Sequence, residues 1–406
     1  MKAALRVVSL LALSAIASSQ ATVWVVDDDA GPGVHFTNVK DALAGSGDGD
    51  VLLFKAGNYS GSFLPPTFWT ETIAGRSLSL VAEDDAEVVF DFLTLDVRNL
   101  GADDVVLVRG IEFRTATLFA LDNLGTLWVE DCEFPPFPTP KPGPIRTLQL
   151  TSSANVAFVG VDVQGTWTAS GLSTLKGDAL VVTDTTLAIL DSSVSGGDGP
   201  LGRDGGNGIT LDGGTAYLAG STVRGGDGGE LFQGNCGNGG HGILLEAGAP
   251  LLRTLDSALA GGDVDATCAG VAQPGSAVLL PSGAHQVLAG TARSLTADSP
   301  VRESQTLGVH VAGAAGDQVF ALVTGSPGAL YLDPFQGVLL VGTTSPLVLP
   351  LGALPGTGQV DLSVSLGPLP AGLQASELVL QLFAVSTALE LRLGGASLLT
   401  ILDASL

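Results

Sequence analysis

Apolar and polar residues alternate in one short pattern that recurs through the middle of the chain. The pattern reads apolar, any, apolar, any, Gly or Asp, small or apolar, any, apolar, and successive copies begin 21, 29, 31, 29, 36 and 33 residues apart. The copies are VLVRGIEF from Val106, LWVEDCEF from Leu127, VAFVGVDV from Val156, LAILDSSV from Leu187, AYLAGSTV from Ala216, LRTLDSAL from Leu252 and, in a degenerate form, HQVLAGTA from His285. This alternation predicts two short β-strands in each copy.

The fifth position of the pattern predicts a sharp corner between the two strands. It is occupied by Gly110, Asp131, Gly160, Asp191, Gly220, Asp256 and Ala289. Gly and Asp tolerate the positive φ that redirects a strand. Because the spacing varies, a propeller or a helical repeat is disfavoured, whereas a β-helix accommodates insertions as outward loops. The sequence therefore predicts an all-β parallel β-helix solenoid over residues 22–300, with earlier coils at 49–61 and 78–91.

The last third of the chain has a different pattern. Apolar residues alternate with period two in segments such as QVFALV from Gln318 and ELVLQLFAV from Glu377, and turns such as GSPG separate them. About eight such strands at intervals of about 8 to 12 residues predict a small C-terminal β-sandwich over residues 301–406. Two roles are open for this module: it caps the open end of the solenoid, or it serves in attachment, sorting or glycan binding.

The first residues predict a secretory signal peptide. Lys2 and Arg6 precede an apolar run at 7–17 that is too short to span a bilayer, and small residues at 19 and 21 form a cleavage site. Residues 1–21 would then be removed. No later segment reaches about 18 uncharged apolar residues. We expect an exported protein, secreted or at the cell surface, without a membrane span.

The charge of the chain restricts its partners. With 17 Lys and Arg against 41 Asp and Glu, the net charge is −24. A surface this acidic repels nucleic acid and anionic lipid. The expected partner is a polysaccharide or another cell-surface ligand, and we expect a monomer.

The opening segment WVVDDDAGPGVHFTNVKDALAGSGDGDVLLFKAGNY, together with the corner pattern, resembles the secreted right-handed parallel β-helix superfamily that includes pectate lyases and polygalacturonases. In that superfamily a strand and a short helix precede the first coil. Here Phe36, Val39 and Leu43 lie on one face of a predicted helix, with Thr37 as its candidate N-cap. The resemblance covers about residues 22–300 and implies the fold; one fold hosts many activities.

Gly-rich turns after three of the copies carry the clearest candidate chemistry. Asp198 and Asp227 lie in GGDG and Asp263 in GGD, so the three fall in one column of the solenoid. Stacked carboxylates about 4.8 Å apart repel one another, and calcium would relieve the repulsion. The alternative is that each Asp hydrogen-bonds its own Gly-rich turn. Arg203 and Arg224 are the basic residues near this column, and a lyase would need such a base beside a calcium site.

A hydrolase-like motif in the same region is weaker. His241 lies in GGHGI, similar to the Gly-His-Gly of polygalacturonase-like hydrolases, but GGNGI places Asn207 at the equivalent position one coil earlier. The Asn-Thr-Asp and Arg-x-Lys markers of those hydrolases are missing. We therefore expect His241 to be a polar residue at the point where the loop re-enters the coil.

Aromatic and cysteine residues complete the candidates. Trp69 and Trp167 lie on predicted outward loops and could stack on sugar rings or cover a coil edge. Cys236 and Cys268 lie in the outward loops of consecutive coils, and we predict a disulfide between them. Cys132 falls in an inward column and should remain a buried free thiol.

Three hypotheses about function follow. The preferred one is a β-helix protein that binds polysaccharide or a surface ligand without catalysis. The second is a calcium-dependent lyase or a glycoside hydrolase with Asp198, Asp227, Asp263, Arg203 and Arg224 as test residues. The third is a purely structural surface protein.

Overall fold

The computed structural model describes residues 21–60, 69–136, 148–166, 177–200, 202–231, 235–268, 270–342 and 346–406. Two regions differ in how their strands pair. Up to Leu288 the long sheets are parallel, and from Ser294 the pairing is mainly antiparallel. The predicted boundary at residue 300 therefore falls inside the antiparallel region. No helix among the residues described is both long and apolar enough to cross a membrane.

The parallel region is built from short strands and one helix. In chain order they are β1 (Val23–Val26), α1 (Val39–Gly45), β2 (Asp50–Phe54), β3 (Gly57–Ser60), β4 (Trp69–Ala74), β5 (Leu78–Ala82), β6 (Val88–Asp91), β7 (Leu93–Arg98), β8 (Val105–Arg109), β9 (Ile111–Phe113), β10 (Thr117–Leu121), β11 (Thr126–Glu130), β12 (Glu133–Phe134), β13 (Leu148–Thr151), β14 (Asn155–Val159), β15 (Asp162–Gln164), β16 (Leu180–Thr183), β17 (Thr186–Leu190), β18 (Ser193–Ser195), β19 (Ile209–Asp212), β20 (Thr215–Ala219), β21 (Thr222–Arg224), β22 (Glu230–Leu231), β23 (Asn235–Cys236), β24 (Ile243–Leu245), β25 (Leu251–Leu255), β26 (Ala258–Ala260), β27 (Val278–Leu279) and β28 (Ala284–Leu288). A 3₁₀ turn spans Ala266–Cys268.

These strands form three parallel sheets that run the length of a solenoid. Sheet 1 has ten strands in the order β1-β2-β5-β8-β11-β14-β17-β20-β25-β28. Sheet 2 runs β3-β6-β9-β12-β15-β18-β21-β26, and sheet 3 runs β4-β7-β10-β13-β16-β19-β24-β27. Over the residues described, eight complete coils contribute one strand to each sheet, and β1 and β28 extend sheet 1 at its two ends. The predicted parallel β-helix is confirmed.

The predicted corner column is also confirmed in its first six members. Between sheets 1 and 2 the chain turns at positive φ, which is 72° at Gly110, 51° at Asp131, 63° at Gly160, 50° at Asp191, 62° at Gly220 and 47° at Asp256. Backbone hydrogen bonds join neighbouring corners, as when the Asp131 amide donates to the carbonyl of Val159. In the degenerate seventh copy the positive φ falls on Gly290 instead of Ala289.

The interior of the solenoid is a narrow apolar stack. Phe90, Phe113 and Phe134 lie on successive strands of sheet 2, with ring centroids 5.5 and 4.5 Å apart. Cys132 is completely buried in the same interior, as predicted. Burial raises the pKa of its thiol to about 12.

Helix α1 closes the first end of the solenoid, but its start was predicted one residue too early. Asn38, not Thr37, is the N-cap, because its side-chain oxygen accepts the Asp41 amide at 2.8 Å. Val39 and Leu43 face the core as expected. Phe36 precedes the helix and instead bridges to Val26 of the first coil.

The C-terminal region consists of mainly antiparallel sheets. Its strands are β29 (Ser294–Ala297), β30 (Val301–Arg302), β31 (Thr306–Ala312), β32 (Gln318–Thr324), β33 (Pro327–Leu332), β34 (Gly337–Val341), β35 (Leu347–Ala353), β36 (Gln359–Ser365), β37 (Ala375–Val385) and β38 (Leu391–Leu402), with a 3₁₀ turn at Asp333–Phe335. A three-stranded sheet (β29-β31-β36) and a five-stranded sheet (β30-β38-β37-β32-β35) enclose an aliphatic core, and β33 and β34 form a separate hairpin.

This C-terminal unit packs along the outer face of sheet 1. A shared buried cluster joins Trp128 and Leu107 of the solenoid to Leu340 and Leu398 of the C-terminal strands. The unit therefore covers a flank of the solenoid. Its predicted roles in capping or attachment stay predictions. From β2 to β20, sheet 1 is buried on both faces, as strands with apolar residues at nearly every position require.

Candidate functional site

The three aspartates of the Gly-rich turns stack in one column, as the sequence indicated. A carboxylate oxygen of Asp198 accepts the Asp227 amide at 2.9 Å, and one of Asp227 accepts the Asp263 amide at 2.8 Å. Each of these two carboxylates thus binds the backbone of the next coil, not of its own turn. The column is a hydrogen-bonded ladder along the solenoid axis.

Arg224 neutralises part of this column. Its guanidinium lies 2.5 Å from Asp227 and 3.5 Å from Asp263. The hydrogen bond to Asp227, reinforced by the charges of the neighbouring aspartates, raises the pKa of Arg224. Arg203 lies at the tip of the preceding loop, where its carbonyl accepts the Gly229 amide at 2.9 Å. An arginine that acts as a base needs a lowered pKa, and Arg224 has the opposite shift.

The arrangement of the acidic side chains bears on the predicted calcium site. Over the residues it describes, no group of three or more His, Cys, Asp or Glu side chains is arranged to hold a metal ion. Oxygens of Asp198 and Asp227 are already engaged with backbone amides. Calcium at Asp198, Asp227 and Asp263 stays a prediction.

A second polar ladder includes the histidine of the hydrolase-like motif. Asp178 accepts the Asn207 amide at 2.7 Å, Asn207 accepts the His241 amide at 2.9 Å, and Nδ1 of His241 accepts the Ser276 amide at 3.0 Å. His241 therefore continues the column of Asn207 and joins one coil to the next. This position agrees with a structural role at the re-entry of the loop.

Between these ladders lies a lattice of glycines, which we call the glycine fin. In three coils the chain leaves the solenoid in an outward loop and then returns, and the leaving and returning segments lie side by side in alternation. Glycine amides in one segment donate to glycine carbonyls of the neighbouring segment at 2.8 Å. The chain of bonds runs from Gly275 through Gly262, Gly240, Gly226, Gly206 and Gly197 to Gly177. A Cβ added at Gly240 would lie 1.9 Å from the carbonyl oxygen of Gly206. Only glycine fits this close approach of backbones.

The predicted disulfide is confirmed at the tip of the fin. Cys236 and Cys268 are bonded, with their Cα atoms 5.6 Å apart and their positions 32 residues apart in sequence. It joins the outward loops of consecutive coils, which are the longest insertions in this part of the solenoid.

Only one of the two tryptophan candidates lies in the described part of the chain. Trp69 begins β4 and packs, partly buried, against the solenoid core. Its indole nitrogen is buried without a hydrogen-bond partner among the described residues. This placement favours the coverage of a coil edge. Trp167 lies outside the described residues.

Sequence reasoning missed a cleft at the seam between the solenoid and the C-terminal hairpin. Tyr217 of β20 and Tyr331 of β33 have ring centroids 5.9 Å apart, and the Arg253 guanidinium lies 3.9 Å above the Tyr331 ring. The Arg253 Nε also donates to the side-chain oxygen of Gln286 at 3.2 Å. The wall of this shallow cleft includes the hydroxyl-bearing Thr215. The one signal for this cleft in the sequence was Tyr217, an aromatic residue at a position of the repeat that was expected to face solvent.

The three continuous parallel sheets define the class of this protein: it is a parallel β-helix protein with an antiparallel C-terminal unit. No protein-family model matches the chain, and no curated protein matches it. Among solved structures the chain is similar to a rhamnogalacturonan lyase, with 12% sequence identity and a TM-score of 0.27, over 59% of this chain and 68% of that chain. The assignment to the β-helix class rests on the strand order of the chain itself.

Proposed function

We propose that this is an extracellular or cell-surface β-helix protein that binds polysaccharide without cleaving it. The observation that carries the proposal is the cleft between Tyr217 and Tyr331, which is open to solvent and lined by aromatic, hydroxyl and guanidinium groups. Ligand sites combine apolar and aromatic walls with a few convergent polar groups, and this cleft has that composition.

The chemistry of the cleft supports recognition of a sugar. A pyranose ring has an apolar face and a rim of hydroxyl groups, so it pairs with an aromatic edge beside hydrogen-bonding groups. The Tyr217 hydroxyl donates to the carbonyl of Gln336 at 3.2 Å, which fixes the ring beneath the hairpin. The cation–π contact holds Arg253 in place against Tyr331. These groups are oriented before a ligand arrives, which lowers the entropic cost of binding.

The absence of an acid–base pair in the cleft supports binding without cleavage. Glycoside hydrolysis uses two carboxyl groups on either side of the scissile bond. The lining of the cleft, Thr186, Leu187, Ala188, Thr215, Ala216, Tyr217, Arg253, Ala329, Tyr331 and Val338, contains no carboxyl group and no histidine. A lyase would instead have to use Arg203 or Arg224 beside the aspartate ladder, where Arg224 is held in ion pairs.

Localisation outside the cell is part of the same proposal. The disulfide between Cys236 and Cys268 fits an oxidising compartment. The leader at residues 1–21 and the soluble, exported state predicted from it stay predictions, since residues 1–20 lie outside the described part of the chain.

A glycan array, probed with calcium and with chelator, tests the proposal. We expect binding that is insensitive to chelator and that falls at least about tenfold in Tyr331→Ala, since the loss of a sugar–aromatic contact removes about 1.4 kcal/mol or more. Leu330→Ala is the matched control, because Leu330 is its neighbour in β33 but does not line this cleft.

The same experiment separates the other functions. Every bound glycan is then incubated with the protein and examined for bond cleavage. Cleavage that is lost in Asp227→Ala or Arg224→Met would replace the proposal with the calcium-dependent lyase or hydrolase. No bound glycan would favour the structural surface protein.

A further inference from the structure

The last coil of the solenoid differs from the rest of the chain in its charge. Residues 270–292 contain no Asp, Glu, Lys or Arg, although charged residues make up 14% of the chain and its net charge is −24. The coil holds β27 and β28, the final strands of sheets 3 and 1. Sheets 1 and 3 therefore end in a segment without charged residues, which we call the end face and define as residues 270–292.

The end face is also apolar and incompletely covered. Val287 of β28 is 74% exposed, Val271 is 70% exposed, and Leu280, which follows β27, is 50% exposed. Leu252 and Thr254, the partners of His285 and Val287 on the preceding coil, are fully buried. Burial lowers the pKa of His285, so this histidine adds no charge to the face at neutral pH. Solenoids need a polar terminal repeat to remain soluble, and this coil does not supply one.

The backbone of the end face is unpaired on one side. In the described structure β27 and β28 are each the terminal strand of their sheet and pair only with the preceding coil. Such edges accept a further strand. The C-terminal unit does not fill this position, because it packs on the flank of sheet 1.

The opposite end of the solenoid is closed. The Val25 carbonyl accepts the amides of His35 and Phe36, and the Val23 amide donates to Gln374 of the C-terminal unit. Helix α1 lies over this end and contacts β1 and β4. A copy of the protein cannot therefore add its end face to the first coil of another copy.

From these observations we propose that two copies of the chain associate tail to tail through their end faces. A two-fold axis perpendicular to the solenoid buries Val287 and Leu280 of both copies and brings unpaired strand edges together. The interface is self-complementary, so assembly stops at the dimer, whereas head-to-tail contacts would give filaments. Two copies that each carry a net charge of −24 can approach with least repulsion through the segment that lacks charged residues. This replaces the expectation of a monomer and does not depend on the proposed function.

Light scattering coupled to size exclusion, over a wide range of concentration, tests the dimer. We expect the mass to rise from the monomer to twice that value and stop there. Added salt should strengthen association, because it screens the repulsion between the acidic surfaces. A wild-type chain that stays monomeric at all concentrations, or a mass that continues to grow, would overturn the proposal.

Variants locate the interface. Val287→Glu and Leu280→Glu each place two buried like charges in the dimer, and we expect the dissociation constant to rise at least roughly a hundredfold. Val348→Glu is the control, because Val348 is 51% exposed on β35, away from the end face. Circular dichroism confirms that each variant is folded. Leu280 follows β27 outside the strand, so its variant remains informative if Val287→Glu misfolds. A dimer unchanged in the folded end-face variants would refute the placement.

Discussion

The buried ion pair between Arg109 and Glu130 is predicted to hold the C-terminal unit on the solenoid. Both residues lie on outer positions of sheet 1, and their side chains are only 7% and 1% exposed. Replacing Arg109 by Met keeps most of the aliphatic volume and removes the cation. Glu130 would then remain buried at the seam without a positive partner.

The magnitude follows from the groups left without partners. Arg109 lies 3.0 Å from Glu130 and 2.9 Å from Asp131, and it donates to the carbonyls of Ala297 and Leu398, each at 2.9 Å. Breaking a buried pair by removing one partner costs about 3–5 kcal/mol, because the remaining charge is uncompensated. The free energy of unfolding should therefore fall by about 3–5 kcal/mol in Arg109→Met.

Arg114 offers a matched control on the solvent side of sheet 2. It pairs with Glu112 at 2.9 Å, almost the same distance, but its side chain is 42% exposed. Exposed pairs contribute about 0–1 kcal/mol, so Arg114→Met should change stability by no more than that. Equal losses in the two variants would show that burial does not set the strength of these pairs.

Urea unfolding followed by circular dichroism measures both variants. The double variant Arg109→Met with Glu130→Gln removes both charges of the buried pair. We expect it to recover part of the stability that Arg109→Met alone loses. Limited proteolysis between the two units provides a second readout, because a weakened seam exposes the connection after β28. The reasoning is refuted if Arg109→Met loses less than about 1 kcal/mol while the double variant loses more.

Three further predictions concern the fin and the core. Gly240→Ala should lower the free energy of unfolding, measured by urea titration, by about 1–3 kcal/mol or more, because the added Cβ would lie 1.9 Å from a backbone oxygen. Gly356→Ala is the control and should be nearly neutral, because a Cβ there would have nothing within 4 Å. Replacing Cys236 and Cys268 by Ser should cost about 2–4 kcal/mol in thermal unfolding, and an unchanged midpoint would contradict a stabilising disulfide. Cys132, with a pKa of about 12, should react with a thiol reagent at pH 8 only after the protein is unfolded. The free energy of unfolding should also fall as the pH rises from about 9 towards 12, because the thiol loses its proton in the unfolded chain before it does so in the folded protein.

The architecture of the solenoid could be predicted because its constraints are local. A corner that needs positive φ selects Gly or Asp at one position of each coil, and Gly110, Asp131 and Gly160 adopt it. The loop disulfide followed from the same register, since stacked coils place Cys236 near Cys268. The start of α1 was missed by one residue because Thr37 and Asn38 are both good caps, and only the chain path shows which side chain reaches the Asp41 amide.

The covered face of sheet 1 was missed although the sequence contained a signal for it. The second and fourth positions of the repeat, treated as open to any residue, hold Leu107, Trp128, Val159, Leu190 and Leu255, and all five are buried. An outward column that is this apolar indicates a second layer. Which segment forms that layer depends on contacts between residues far apart in sequence, and the repeat does not encode them.

In the candidate site, too, only the features set by local spacing could be predicted from the sequence. The aspartate ladder could be predicted from its spacing, but the hydrogen bonds of Asp198 and Asp227 to the next coil could not, because a turn sequence does not specify which amide is nearest. The Tyr217–Tyr331 cleft joins residues from the two units, so no local pattern points to it.

The cleft and the end face lie close to each other on the solenoid, and this links the two proposals. Arg253 belongs to β25, which is the direct neighbour of the terminal strand β28, and it binds Gln286 of that strand. Adjacent strands are about 4.8 Å apart, so a tail-to-tail dimer places its two clefts on either side of the two-fold axis and near it. Two weak sites on one rigid particle gain avidity for a polymer that presents the same sugar repeatedly, without any new contact. Weak binding at each cleft is then sufficient for attachment to a polysaccharide surface.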